Sequence, residues 1–188
     1  IINFSQLLLH TYRVYLAQAG REDFGGPFHI KYLLEVFKPL EKESEDFIKG
    51  FFLCLWRVRF AFDKYVIKWV QKSEDKEEEL KIATVSYSDK GNNRFFSRTQ
   101  PQGRDASTML QSVLYFTGNY NTQIWLSPFL KRLLDGEEAD RCLESIDNKL
   151  SLSLEEDKIT TYKLMNPSYE VANKLDFEPY LNEANGTS

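Results

Sequence analysis

Catalysis at neutral pH draws most often on histidine, and this chain has two, His10 and His29, far apart in sequence. Neither stands beside a patterned carboxylate or cysteine, so no acid–base or nucleophile pair is legible. Metal chemistry fares no better, because Cys-x-x-Cys, His-Glu-x-x-His and paired-histidine spacings are all missing. Gly25-Gly26-Pro27 lacks the Gly-x-x-x-x-Gly-Lys spacing whose backbone amides would wrap a phosphate, and there is no Gly-x-Ser-x-Gly elbow. Acids cluster at Glu41 to Asp46, Glu74 to Glu79 and Glu155 to Asp157. These fall at expected helix ends or in linkers, where solvated surface accounts for them better than a carboxylate metal site. The residue types therefore predict no catalytic residue, no metal and no cofactor in this chain.

Basic side chains offer more. From Lys90 to Arg104 the chain carries Lys90, Arg94, Arg98 and Arg104 with no acid, interleaved with Phe95, Phe96, two asparagines and two glutamines. Guanidinium forks bind phosphate bidentately and an exposed Phe stacks on a base, so this segment is the best nucleic-acid candidate. The competing account is a polar connection whose phenylalanines fold inward. Lys64, Lys68 and Lys72 form a second basic row toward the end of an expected helix. There positive charge offsets the macrodipole without any ligand, and the same row would also serve as an anion-binding face.

The element expected to position these groups runs from Ser44 to Lys72. Phe47, Phe51, Leu55, Val58, Phe62, Tyr65, Val66 and Trp69 recur at spacings of three and four, the period of one long amphipathic helix of roughly 42 Å. Ser44 is its cap. Ahead of it, Asn3 with Gln6 predicts a capping box opening a first helix that buries Phe4, Leu7, Leu8, Tyr12 and Tyr15. A short helix from His29 to Lys38, burying Ile30, Leu33, Leu34 and Phe37, is stopped by Pro39. Rising β-branched and aromatic content from Leu80, with a turn signal at Asp89 to Asn93, predicts a small hairpin near residues 80–97. Three further helices are expected. One opens at Asp105 and carries Met109, Leu110, Val113, Leu114 and Phe116. The next runs from Asn121 to Leu134, with Pro128 kinking or restarting it behind Ser127. The last runs from Glu137 to Leu150 on Ala139, Cys142, Leu143, Ile146 and Leu150. The fold class expected is mainly α, an irregular bundle around one long central helix, with residues 1–165 as a helical domain and 166–188 as a tail or linker.

Composition sets the outer bounds. With 42% apolar and 14% aromatic residues the chain can build a sizeable core, which argues against disorder. Net charge is −4, yet acids and bases cluster separately, so the total neither supports nor excludes nucleic acid. Lys49, Arg57, Arg59 and Asp63 interrupt the longest apolar run, which excludes a membrane span there. Two cysteines without secretory context point to a reducing compartment, the cytoplasm. The opening on Ile1 and the polar close at Asn185 to Ser188 are those expected of a piece of a longer polypeptide.

Several segments, in order, carry a resemblance. They are Ile1-Ile2-Asn3-Phe4 leading into Leu7-Leu8-Leu9-His10, then Phe60-Ala61-Phe62-Asp63-Lys64-Tyr65-Val66-Ile67-Lys68. Met109-Leu110-Gln111-Ser112 and Trp125-Leu126-Ser127-Pro128-Phe129-Leu130-Lys131 follow. Together, over Ile1 to Leu134, they resemble the central helical region of GmrSD-type restriction proteins, bacterial defence factors directed at modified foreign DNA. The resemblance implies an N-terminal ParB-like portion with an Asp-Gly-Gln-Gln-Arg motif and a C-terminal histidine-containing nuclease portion. Neither motif is in this chain, so no catalytic residue carries over. What it implies here is a helical scaffold or linker whose partners are flanking domains and DNA, the latter through Arg94, Arg98 and Arg104 first and Lys64, Lys68 and Lys72 next. The alternative is a protein-interaction module with no nucleic-acid role, recognisable by a contiguous apolar surface patch.

Overall fold

Asn3 accepts from the Gln6 amide at 2.8 Å and its own amide donates to the Gln6 side chain at 3.0 Å, the capping box expected. Two donors that no helical carbonyl can reach are thereby satisfied. The computed structural model describes residues 1–21, 23–71, 78–91, 93–99, 105–117, 123–152 and 161–166. In it α1 spans Phe4–Gln18 and leaves through Gly20, whose φ of 68° suits a residue without a Cβ. Leu7 and Tyr12 are buried as expected, while Phe4 stays exposed.

Between α1 and the long helix the expected single helix is replaced by three short pieces. A 3₁₀ turn at Ile30–Tyr32 leads into α2 (Leu33–Phe37), and a second 3₁₀ turn at Lys38–Lys42 carries Pro39. The 3₁₀ turns on either side, at three residues per turn, break the single helical phase expected over His29 to Lys38, and Val36 becomes the buried residue while Leu34 points outward.

Ser44 caps α3 (Glu45–Tyr65), accepting from the Phe47 amide at 3.2 Å. The helix ends at Tyr65 rather than Lys72. Val66 and Ile67 are β-branched and fully buried, and there the chain enters β1 (Ile67–Gln71), antiparallel to β2 (Glu78–Ile82) with Ile67 opposite Ile82. Lys64 and Lys68 therefore do not share a helical face, because Lys68 lies on β1. The hairpin expected near residues 80–97 is present as β3 (Thr84–Lys90) paired with β4 (Asn93–Thr99), and Gly91 in the turn has φ 65°.

Four helices complete the described chain: α4 (Asp105–Thr117), α5 (Leu126–Leu134), α6 (Ala139–Ser151) and α7 (Thr161–Met165). Helix α4 buries Ser107, Gln111 and Leu114, not Met109, Val113 and Phe116. In α5, Pro128 occupies the third helical position, where a missing N–H costs no intrahelical bond. Ser127 is thus inside the helix and free for other work. Helix α6 buries Cys142, Leu143 and Ile146 as its spacing predicts.

Mainly α with a small hairpin component describes the molecule, but the innermost helix is the short α5. Helices α1, α3, α6 and α7 all pack on it, and Leu126, Phe129 and Leu130 are fully enclosed. They join Leu7, Val14, Val58, Leu143 and Ile146 in the main core. A second, aromatic core gathers Tyr12, Phe24 and Phe51 with Phe37 between α1, α2 and the start of α3. Its rings meet edge-on, Tyr12 to Phe51 at 5.9 Å and Phe37 to Phe51 at 5.6 Å. Such pairs add about 0.5–1.5 kcal/mol each beyond area burial. Among the described residues no helix is long and apolar enough to cross a membrane.

One helix–helix contact makes a prediction whose sign opposes helix propensity. The Tyr15 hydroxyl donates to the Phe47 carbonyl at 2.8 Å, and a Cβ added at Gly50 would stand 2.3 Å from the Tyr15 hydroxyl oxygen. Propensity alone favours Gly50→Ala by about 1 kcal/mol. The close approach should instead lower stability by about 1–2 kcal/mol, read as a reduced urea midpoint. A raised midpoint would contradict the α1–α3 packing.

Candidate functional site

The polar residues nearest to chemistry are His10 and Ser127, brought together by the packing of α1 on α5. Imidazole Nδ1 and hydroxyl Oγ lie 2.7 Å apart across 117 residues of sequence. A serine within hydrogen-bond reach of an imidazole is the arrangement of an activated nucleophile, but the surroundings give this pair another role. His10 is 1% exposed and Ser127 0%. Burial, with the Arg13 charge adding to it, pushes the imidazole down to about 3, so the ring is neutral and a feeble base. Its ring packs against Phe28 at 4.8 Å in a T-shaped contact. Arg13 in turn lies over the Phe24 ring at 4.3 Å. The dyad is a buried tie between α1 and α5.

A second tie uses Gln111 of α4, 1% exposed. Its Oε1 accepts from the Ile67 amide at 3.0 Å and its Nε2 donates to the Tyr65 carbonyl at 2.9 Å. One side chain thus bonds the backbone on both sides of the point where α3 stops and β1 starts. Lys68 closes the same junction from the other side. Its ammonium donates to the carbonyls of Phe62 at 3.1 Å, Asp63 at 2.9 Å and Val66 at 2.9 Å. A cation on the last carbonyls of a helix is where the macrodipole favours it.

The other basic candidates separate. Lys64 holds its ammonium 4.8 Å from the Tyr65 ring centroid. Arg94 on β4 is 74% exposed and 3.4 Å from Asp89 across the hairpin. Arg98 lies on the same strand opposite Val85, its side chain outside the described residues, as are Lys72 and Arg104 altogether. Of the six, Arg94 and Arg98 share one hairpin while Lys64 and Lys68 flank the α3–β1 junction. A shallow cleft of about 290 Å³ beside that junction is lined by Asn3, Arg59, Asp63, Lys68 and Trp69 among others. Its cations are engaged, since Arg59 holds Asp63 at 2.6 Å and Lys68 caps the helix.

Neither thiol is poised to react. Cys54 and Cys142 are both free and buried; burial pushes Cys54 up to about 11, and burial with the nearby Glu137 pushes Cys142 up to about 12. Among the described residues no three His, Cys, Asp or Glu side chains group closely enough to hold a metal ion. Comparisons with protein-family models, curated proteins and solved structures return no match to this chain.

Proposed function

We propose that this chain is the helical scaffold module of a GmrSD-type restriction factor, a cytoplasmic protein acting on modified foreign DNA through nucleotide-handling and nuclease portions that this module joins and positions. One observation carries the reading. The polar residues within the resembling segments are spent on internal connections: His10 on Ser127, Gln111 on the Tyr65–Ile67 backbone, Lys68 on the end of α3. Residues used in this way fix the angles between helices, which is what a spacer between two working parts must supply. DNA, where the module touches it, meets Arg94, Arg98 and Arg104 first, because Arg94 is the most exposed of the described candidates.

A second reading, a protein-interaction module with no nucleic-acid role, is favoured by the outer surface of α3, where Phe52, Leu53, Trp56 and Phe60 stand in solvent. One titration separates the two. With Mg²⁺, nucleoside triphosphate and modified or unmodified duplex, the chain should neither cleave nor hydrolyse, and cleavage by it alone would overturn the scaffold reading. Three arginine–phosphate contacts predict a log–log salt slope of about −2.7, roughly a fortyfold loss between 50 and 200 mM salt, with Arg94→Glu weakening binding further. No binding at the lowest salt would leave the interaction module.

A further inference from the structure

We propose that the outward face of α3 is where two copies of this chain meet, their α3 helices crossing antiparallel about Trp56. The inference does not depend on the restriction reading. Helix α3 has two apolar faces. Phe51, Cys54, Val58, Ala61 and Phe62 pack inward. At 100° per residue, Phe52, Leu53, Trp56 and Phe60 occupy an arc of roughly 100° centred on the opposite side. Their exposures are 61%, 67%, 78% and 64%, so the second stripe is as apolar as the first and has nothing over it among the described residues. A helix apolar on both faces is stable in water when both are covered.

The stripe is self-complementary under a two-fold axis. Positions 52 and 60 are equidistant from Trp56, so an antiparallel partner sets Phe52 against Phe60 of the second copy and Trp56 against its own mate. Positions 49 and 63 are equidistant as well, which brings Lys49 to Asp63 of the second copy. Parallel pairing would instead oppose Lys49 to Lys49 and Asp63 to Asp63, so charge selects the antiparallel arrangement. Within one chain Lys49 pairs with Glu45 at 2.7 Å and Arg59 with Asp63 at 2.6 Å, bracketing the apolar centre with a polar rim.

The area meets the minimum for a reversible dimer. Taking about 150–250 Å² for a large side chain, the four offer on the order of 500 Å² per copy. Across both copies that is roughly 1,000 Å² before the rim is counted, which reaches the floor for a specific interface and suits a weak, reversible dimer.

Sedimentation of the whole 188-residue chain tests this. A concentration-dependent species of twice 22.0 kDa is expected. Trp56→Glu should weaken it by at least roughly thirtyfold, as loss of a central aromatic anchor does. Because Trp56 is exposed in the single chain, the variant's circular dichroism should not change, nor should its urea midpoint at concentrations dilute enough for both proteins to be monomeric. Lys49→Asp should weaken the dimer about tenfold and Lys49→Asp with Asp63→Lys should restore it. A chain still monomeric at about 200 µM overturns the proposal, as does a dimer indifferent to Trp56→Glu. Failure of the double charge swap to restore association overturns the antiparallel pairing.

Discussion

Replacing Gln111 with leucine is expected to destabilise the fold by about 2–4 kcal/mol, although leucine is more apolar and close in size. The side chain is buried and its two ends pair with the Ile67 amide and the Tyr65 carbonyl. Leucine would take this partner from the buried Ile67 amide and the part-buried Tyr65 carbonyl, each loss costing about 1–3 kcal/mol, against a partial gain from apolar burial. The urea midpoint should fall with the slope unchanged, because the native state still buries the same surface. Since the orphaned groups sit where α3 gives way to β1, the Ile67 amide should also lose hydrogen-exchange protection before α5 does. A neutral or stabilising Gln111→Leu would show that this junction is held by something else.

The second large effect is a dependence of stability on acid that traces to His10. The folded imidazole sits at about 3, well below the ordinary 6.5 that it has in the unfolded chain. Between those values the unfolded state holds a proton that the folded state refuses, so unfolding free energy falls as pH falls, by about 1.4 kcal/mol per pH unit. The contribution is fully present above pH 6.5 and is lost as pH drops toward 3, roughly 3–5 kcal/mol in all. His10→Gln, which cannot titrate, should flatten the profile through this window. Carboxylates contribute their own acid response to both proteins, so the difference between the two curves is the readout. Parallel curves would mean that the imidazole is solvated.

Local signals were legible and long-range ones were not. Asn3 with Gln6 and Ser44 announced their helix starts because a cap is made by residues three apart. The Cys142, Leu143 and Ile146 stripe announced α6 for the same reason of short range. The end of α3 escaped notice, since Lys64, Lys68 and Trp69 continue the helical spacing and no glycine or proline intervenes. The signal present was the β-branched pair Val66-Ile67 with Trp69 and Val70 close behind, a short run of strand-favouring residues masked by the longer helical period. Phe52, Leu53, Trp56 and Phe60 form a second apolar stripe on that helix, interleaved in sequence with the first and masked by its period.

The candidate site shows the same division. His10 and Ser127 each looked unpartnered because their partner is 117 residues away, on an element whose approach only tertiary packing decides. Gln111 could be singled out as part of a resembling segment, but not as the residue that satisfies a strand it follows by 44 positions. Lys68 read as half of a basic row, whereas the carbonyls left over where α3 ends give it a structural partner.

The central claim is that the residues resembling a catalytic pair are a structural tie, and a double-mutant cycle on His10→Leu and Ser127→Ala measures it directly in unfolding free energy. Each single change should be destabilising because it strands the other buried polar group, and the double change should cost less than their sum by about 1–2 kcal/mol. Additive effects within about 0.3 kcal/mol, with each single variant near wild-type stability, would contradict the claim.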